Sequence, residues 1–86
     1  MYNKLTYISS ATTTTIQTGG NISIHTIVCP IALTGTATFR DTGSPTTYFV
    51  LPIGTIGTLF IDSTLPNGLQ VVTSAADKLL VTTVTP

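Results

Sequence analysis

The clearest pattern in the chain is a pair of alternating runs in its C-terminal third whose two sides are both apolar. In Leu69 to Thr73 the residues Leu69, Val71 and Thr73 alternate with Gln70 and Val72; in Leu79 to Val84, Leu79, Val81 and Thr83 alternate with Leu80, Thr82 and Val84. A period of two predicts strands, and strands without a polar side must be covered on both faces. Pro66-Asn67-Gly68 before the first run is turn chemistry, with Pro fixing φ and Asn-Gly accepting positive φ, and Ser74 to Asp77 is a small polar break between the two.

The same reading extends backward along the chain. Ile22 to Cys29 alternates up to Pro30, with Ile22, Ile24 and Val28 expected on one face and Ser23, His25, Ile27 and Cys29 on the other. Thr12 to Gln17 has high β-propensity and closes at Thr18-Gly19-Gly20-Asn21. Residues 34–40 and 46–51 flank a loop rich in Asp, Gly, Ser and Pro and predict a long-loop hairpin, and residues 55–61 form a further run. Met1 to Ser10 has no strong period; it is expected to be an extended N-terminal arm that orders on contact with a neighbour, ahead of a domain spanning 11–86, with Leu5, Tyr7 and Ser9 on one side if it pairs as a strand. No window carries a helical set of apolar positions free of Gly, Pro or dense Thr. The expected class is therefore all-β, an antiparallel sandwich or jelly-roll-like fold of about eight short strands with no helix.

Composition turns the coverage question into one about the whole molecule. Charged residues make up 7% of the chain, against about 25% in ordinary soluble domains, and all can be named: Lys4, Arg40, Asp41, Asp62, Asp77 and Lys78. With a formal net charge of +0, little electrostatic repulsion keeps copies apart. About a quarter of the residues are Thr, which suits a pleated surface and supplies hydrogen bonding without charge. One cysteine cannot make an internal disulfide, so a thin core in 86 residues points to oligomerisation for its stability.

Three cations are too few for a phosphate-binding patch, which argues against nucleic acid. The apolar window from Tyr48 to Ile61 is short and broken by Pro52, Gly54 and Gly57, which argues against a spanning helix. Met1 to Thr6 has no apolar stretch behind Lys4, so the chain is expected to be made and used without export.

Candidate chemistry is sparse. His25 and Cys29 lie four apart on one predicted strand, roughly 13 Å at ~3.3 Å per residue, too far for proton transfer between them. They are also too few for a zinc site unless Asp41, Asp62 or Asp77 converges on them. The expectation is no catalytic residue, metal or cofactor, with His25 hydrogen-bonded at a sheet surface and Cys29 packed as a small apolar side chain. Arg40 and Asp41, adjacent on a strand, point apart; Arg40 is either solvated or an intersubunit anchor. Tyr2, Tyr7 and Tyr48 suggest interface anchors or, as an alternative, a sugar-stacking platform. The expected interface residues are Tyr2, Lys4, Leu5 and Tyr7 of the arm, Arg40, Tyr48, and Leu79, Leu80, Val81 and Val84.

The order of motifs also resembles that of the small β-rich virion proteins of tailed bacteriophages. It runs through Tyr7 to Thr14, Gly20 to Cys29 with His25 inside, Gly35-Thr36-Ala37-Thr38-Phe39-Arg40-Asp41, Gly57-Thr58-Leu59-Phe60-Ile61-Asp62, Asn67 to Thr73 and Asp77-Lys78-Leu79. The resemblance implies a non-enzymatic capsid cement or decoration protein on the outer surface of the phage head. It would be a homotrimer bridging copies of the major capsid protein. The alternative is a carbohydrate-binding adhesion module of a tail or fibre. The Thr82-Thr83-Val84-Thr85-Pro86 end departs from the pattern, so no role at the C-terminus is carried over.

Overall fold

The computed structural model describes residues 2–43 and 46–85, without the side chains of Tyr2 and Thr85. Eight strands follow in order: β1 (Tyr2–Ile8), β2 (Thr13–Thr18), β3 (Ile22–Cys29), β4 (Ala37–Arg40), β5 (Thr47–Leu51), β6 (Gly57–Leu65), β7 (Gly68–Thr73) and β8 (Leu79–Thr85). They form two four-stranded sheets, β1-β8-β3-β6 and β2-β7-β4-β5, with every neighbouring pair antiparallel. Consecutive strands mostly change sheet, and this interleaving is the double Greek key of a jelly roll. Only β4 and β5 form a hairpin, as the loop chemistry between them predicts.

The two C-terminal runs are therefore not a hairpin. β7 lies in one sheet and β8 in the other, and Leu69 and Val71 meet Leu79 and Val81 in a single core cluster. Each strand supplies the cover for one face of the other. The polar break between them is held by Asp77, whose carboxylate accepts the amides of Thr34 and Gly35 at 3.0 Å and the Thr34 hydroxyl at 2.9 Å. Ser74 Oγ accepts the Thr36 amide at 2.7 Å beside it. At this end of the sandwich Leu33 donates its amide to Thr55, and Gly54 donates to Leu33. The opposite end is gathered by the Asn67-Gly68 turn. Gly68 has φ 69°, and a side chain there would collide with the Gln17 carbonyl and the Gly19 amide, so the turn requires glycine. Tyr48 caps it: its hydroxyl donates to the Gly68 carbonyl at 3.1 Å and accepts the Asn67 amide at 3.3 Å.

Residues 2–8, expected as a separate arm, form the edge strand β1. Its ladder runs along β8 from Tyr2↔Thr85 to Ile8↔Leu79, and Ile8 is buried in the core. The domain boundary expected at residue 10 falls instead inside a loop of one continuous sandwich, because Leu5 and Tyr7 alternate with Thr6 and Ile8 as a strand requires. Met1 lies outside the described residues, as do Ser44 and Pro45 of the predicted hairpin loop and Pro86 at the C-terminal end.

β3 corrects a second expectation. A bulge at His25 inserts one residue between Ile24 and Thr26 in the ladder with β8, and the alternation changes phase there. Ile22, Ile24, Ile27 and Cys29 all point inward and are at most 1% exposed, whereas an unbroken strand would have put Ile27 and Cys29 on the opposite face from Ile22. The irregularity resolves the conflict between a strict period of two and a sequence with its apolar residues out of phase.

Candidate functional site: the outer face of the β1-β8-β3-β6 sheet

The registers place the outward side chains of this sheet in three rows across its four strands. Nearest the Asp77 end the row is Tyr7, Leu80, Val28, Thr58; the middle row is Leu5, Thr82, Thr26, Phe60; the last is Asn3, Val84, Ser23, Thr64. Directly opposed residues in antiparallel ladders share a face, so these twelve positions form one surface. Leu5, Tyr7 and Phe60 are 61%, 56% and 72% exposed, and Leu80, Val28 and Val84 are half-buried between them. None of the three rows contains a charged residue. The rows mix exposed apolar side chains with threonine, serine and asparagine, which makes this face a candidate interaction surface.

One charge interrupts the face. At the β3 bulge His25 Nδ1 lies 2.5 Å from Asp62 Oδ1, with the two side chains 54% and 61% exposed. Asp62 has φ 47°, the single non-glycine residue at positive φ among the described residues, and the β6 chain accommodates two residues, Ile61 and Asp62, opposite His25. That local geometry turns Ile61 onto the core and Asp62 toward His25. Beside them Ser23 Oγ and Thr64 Oγ1 are hydrogen-bonded at 2.9 Å. The pair is a surface hydrogen bond of the kind expected for His25. It does not include Cys29, which points to the other side of β3 and is fully buried. Burial, and then the negative charge of Asp77, push the Cys29 thiol above its ordinary range, which disfavours the thiolate.

The other broad face differs in chemistry. On the β2-β7-β4-β5 sheet Arg40 Nε donates to Gln70 Oε1 at 3.1 Å, and Gln70 Nε2 donates to Thr15 Oγ1 at 3.4 Å, a polar ladder across three strands. Arg40 is thus anchored within its own chain, while Asp41 is buried and directed elsewhere.

A carbohydrate-binding module, CBM6cm-2 from Cellvibrio mixtus lichenase 5A in complex with cellotriose, is similar at 16% identity over 93% of this chain and 70% of that one, with a TM-score of 0.42. No family model and no curated protein matches the chain.

The residues expected at an interface divide among three places. Leu5, Tyr7, Leu80 and Val84 come together on the outer face described above. Leu79 and Val81 do not: both are 0% exposed, because the inward phase of β8 is the one that meets β7, and their assignment to a subunit contact is corrected to core. Arg40 lies on the opposite face, and Tyr48 is half-buried at the far turn with its hydroxyl engaged. Lys4 belongs to the inward row of β1, opposite Thr83, but is exposed at the open edge. The side chain of Tyr2 lies outside the described residues. Val28 and Phe60 were missed. The run Thr58-Leu59-Phe60-Ile61 carries the same two-sided apolar signal as β8, and only the register reveals that Leu59 packs on the core while Phe60 stands out from it.

Proposed function

We propose that this chain is a non-catalytic structural subunit that works by docking the outer face of its β1-β8-β3-β6 sheet, and that its setting is the outer surface of a phage head. There the docked assembly would act as a cement or decoration unit that bridges copies of the major capsid protein. The observation that carries the docking reading is the exposure of Leu5, Tyr7 and Phe60 on one face whose three rows hold no charge. Supporting it are the 7% charged residues of the whole chain and a jelly-roll layout, an architecture that capsid and lectin domains both use. Such a subunit stabilises a shell by burying apolar and hydroxyl-bearing surface, ~25 cal/mol per Å² gross and largely offset by ordering, multiplied over many copies.

The carbohydrate reading relied on a tyrosine platform, and Tyr7 and Tyr48 stand on different sheets, so they do not build one.

Phage heads assembled with and without the chain would test the proposal. Density for it bridging capsomers, together with a lower opening temperature in its absence, is the expected result. Heads that neither bind the added protein nor change their opening temperature would sink it.

A further inference from the structure

The docking face has a property that a surface for an unrelated partner would not need. We propose that it pairs with a second copy of the chain, sheet against sheet, about a twofold axis lying in the interface parallel to the strands and between β8 and β3. This rests on the reading of the face as a docking surface and names its occupant.

A half-turn about that axis lays β1 of one copy over β6 of the other and β8 over β3. In the row nearest the Asp77 end, Tyr7 then faces Thr58 and Leu80 faces Val28. In the middle row Leu5 faces Phe60 and Thr82 faces Thr26. In the last row Asn3 faces Thr64 and Val84 faces Ser23. Phe60 projects furthest from the sheet, at 72% exposed, and within its own chain its row neighbours are threonines until Leu5, three strands and roughly 14 Å away. The half-turn brings that leucine directly onto it. Large side chains meet small or apolar ones, and the two central hydroxyl positions meet each other. Because the axis is twofold, every contact occurs twice, as an isologous interface requires.

Charge and area agree with this occupant. With no charge in the three rows and a net charge of +0, two copies meet without like-charge opposition, and the face offers no cluster of charge for a partner of opposite sign. Asp62 is already hydrogen-bonded to His25 in its own chain. The three rows cover four strands and five residues of β1, roughly 19 × 17 Å, so two copies together bury on the order of 700 Å², an area for a weak, reversible pair.

The test is the mass of the purified chain by light scattering and sedimentation, with circular dichroism as the check on folding. The expected mass is twice the 9.0 kDa of one chain. Leu5→Lys and Phe60→Lys should each raise the dissociation constant by at least about tenfold with an unchanged spectrum. The combined variant Leu5→Lys/Phe60→Glu should recover the dimer, because Lys and Glu then face each other in both copies of the contact. As a second measurement, a Leu5→Cys chain mixed with a Phe60→Cys chain should be joined by a short bismaleimide, which spans the ~10 Å between facing positions of packed sheets that a disulfide cannot, while the buried Cys29 is out of its reach.

A three-chain mass, or a wild-type monomer up to about 1 mM, overturns the twofold pairing. Failure of both the charge recovery and the cross-link overturns it as well. If the chain is monomeric yet Phe60→Lys still abolishes binding to phage heads, the pairing falls while the docking reading survives. If Phe60→Lys changes neither mass nor head binding, both fall.

Discussion

Asp77 shows how one side chain settles the geometry of a chain with few charges. Its carboxylate takes two backbone amides and a hydroxyl from the β3–β4 loop, which locks that loop to the β7–β8 connection. The Thr34 amide, then the Gly35 amide, hold its pKa below the ordinary carboxylate range, against the opposing pull of burial and with further help from the Thr34 hydroxyl. A folded pKa below the unfolded one makes this contribution fully present above the unfolded value, ~3.9, and removes it as pH falls through the folded value. Thermal unfolding followed from pH 7 to pH 2 should therefore show stability falling below about pH 4. Asp77→Asn should be less stable than wild type at pH 7 and lose part of that acid dependence. An Asn variant as stable as wild type at neutral pH would remove the clamp from the account. In the sequence Asp77 read only as one polar residue of a break, because its partners lie more than forty residues away.

At the scale of the element, β1 and β8 carry the larger lessons. β1 is a strand because its alternation places Ile8 and Thr6 inward beside Leu79 and Val81. Its lack of a sharp period in the sequence reflects Lys4, which shares the inward phase but sits at the open edge. Amide exchange should separate this from a free arm: the β1 amides that bond to β8 are expected to be protected in the chain alone, and exchange at random-coil rates would rule the strand out.

β8 separates core from surface along a single run. Leu79→Ala should cost about 2–5 kcal/mol in chemical unfolding, since it opens a cavity between the sheets. Leu80→Ala, on the outer face, should cost much less in folding and act on association instead. Equal losses from the two would contradict the phase of the strand.

For the whole molecule, the shortage of charge and the two-sided strands have separate causes. The interleaved topology explains one side of each strand, since every sheet packs its inner face on the other around Phe39, Ile24, Leu69 and Val81. Phe39 and Phe49 stack there with centroids 4.6 Å apart. What remains is the outer side, and the two sheets treat it differently. One carries the Thr15–Gln70–Arg40 ladder with Val50 exposed beside it; the other carries Leu5, Tyr7 and Phe60. In the proposed dimer the first of these faces, with its polar ladder, would look outward on both sides.

By itself the sequence determined the all-β class, a count of about eight strands and the positions of the turns, because these depend on local period and on Pro, Gly and Asn chemistry, and no helix occurs among the described residues. It also determined that the surface would be poor in charge. Only the tertiary structure decided which side of each strand faces inward. At β8 both phases are apolar and the choice falls to the partner strand β7; at β3 a one-residue bulge at His25 reverses the phase halfway along. Nor does local pattern join Leu5, Val28, Phe60 and Leu80 into one face, since they come from four strands whose order, β1-β8-β3-β6, is set by long-range pairing. The alternation of a single strand records that two faces exist, and the register across the sheet settles which of them is left to meet another molecule.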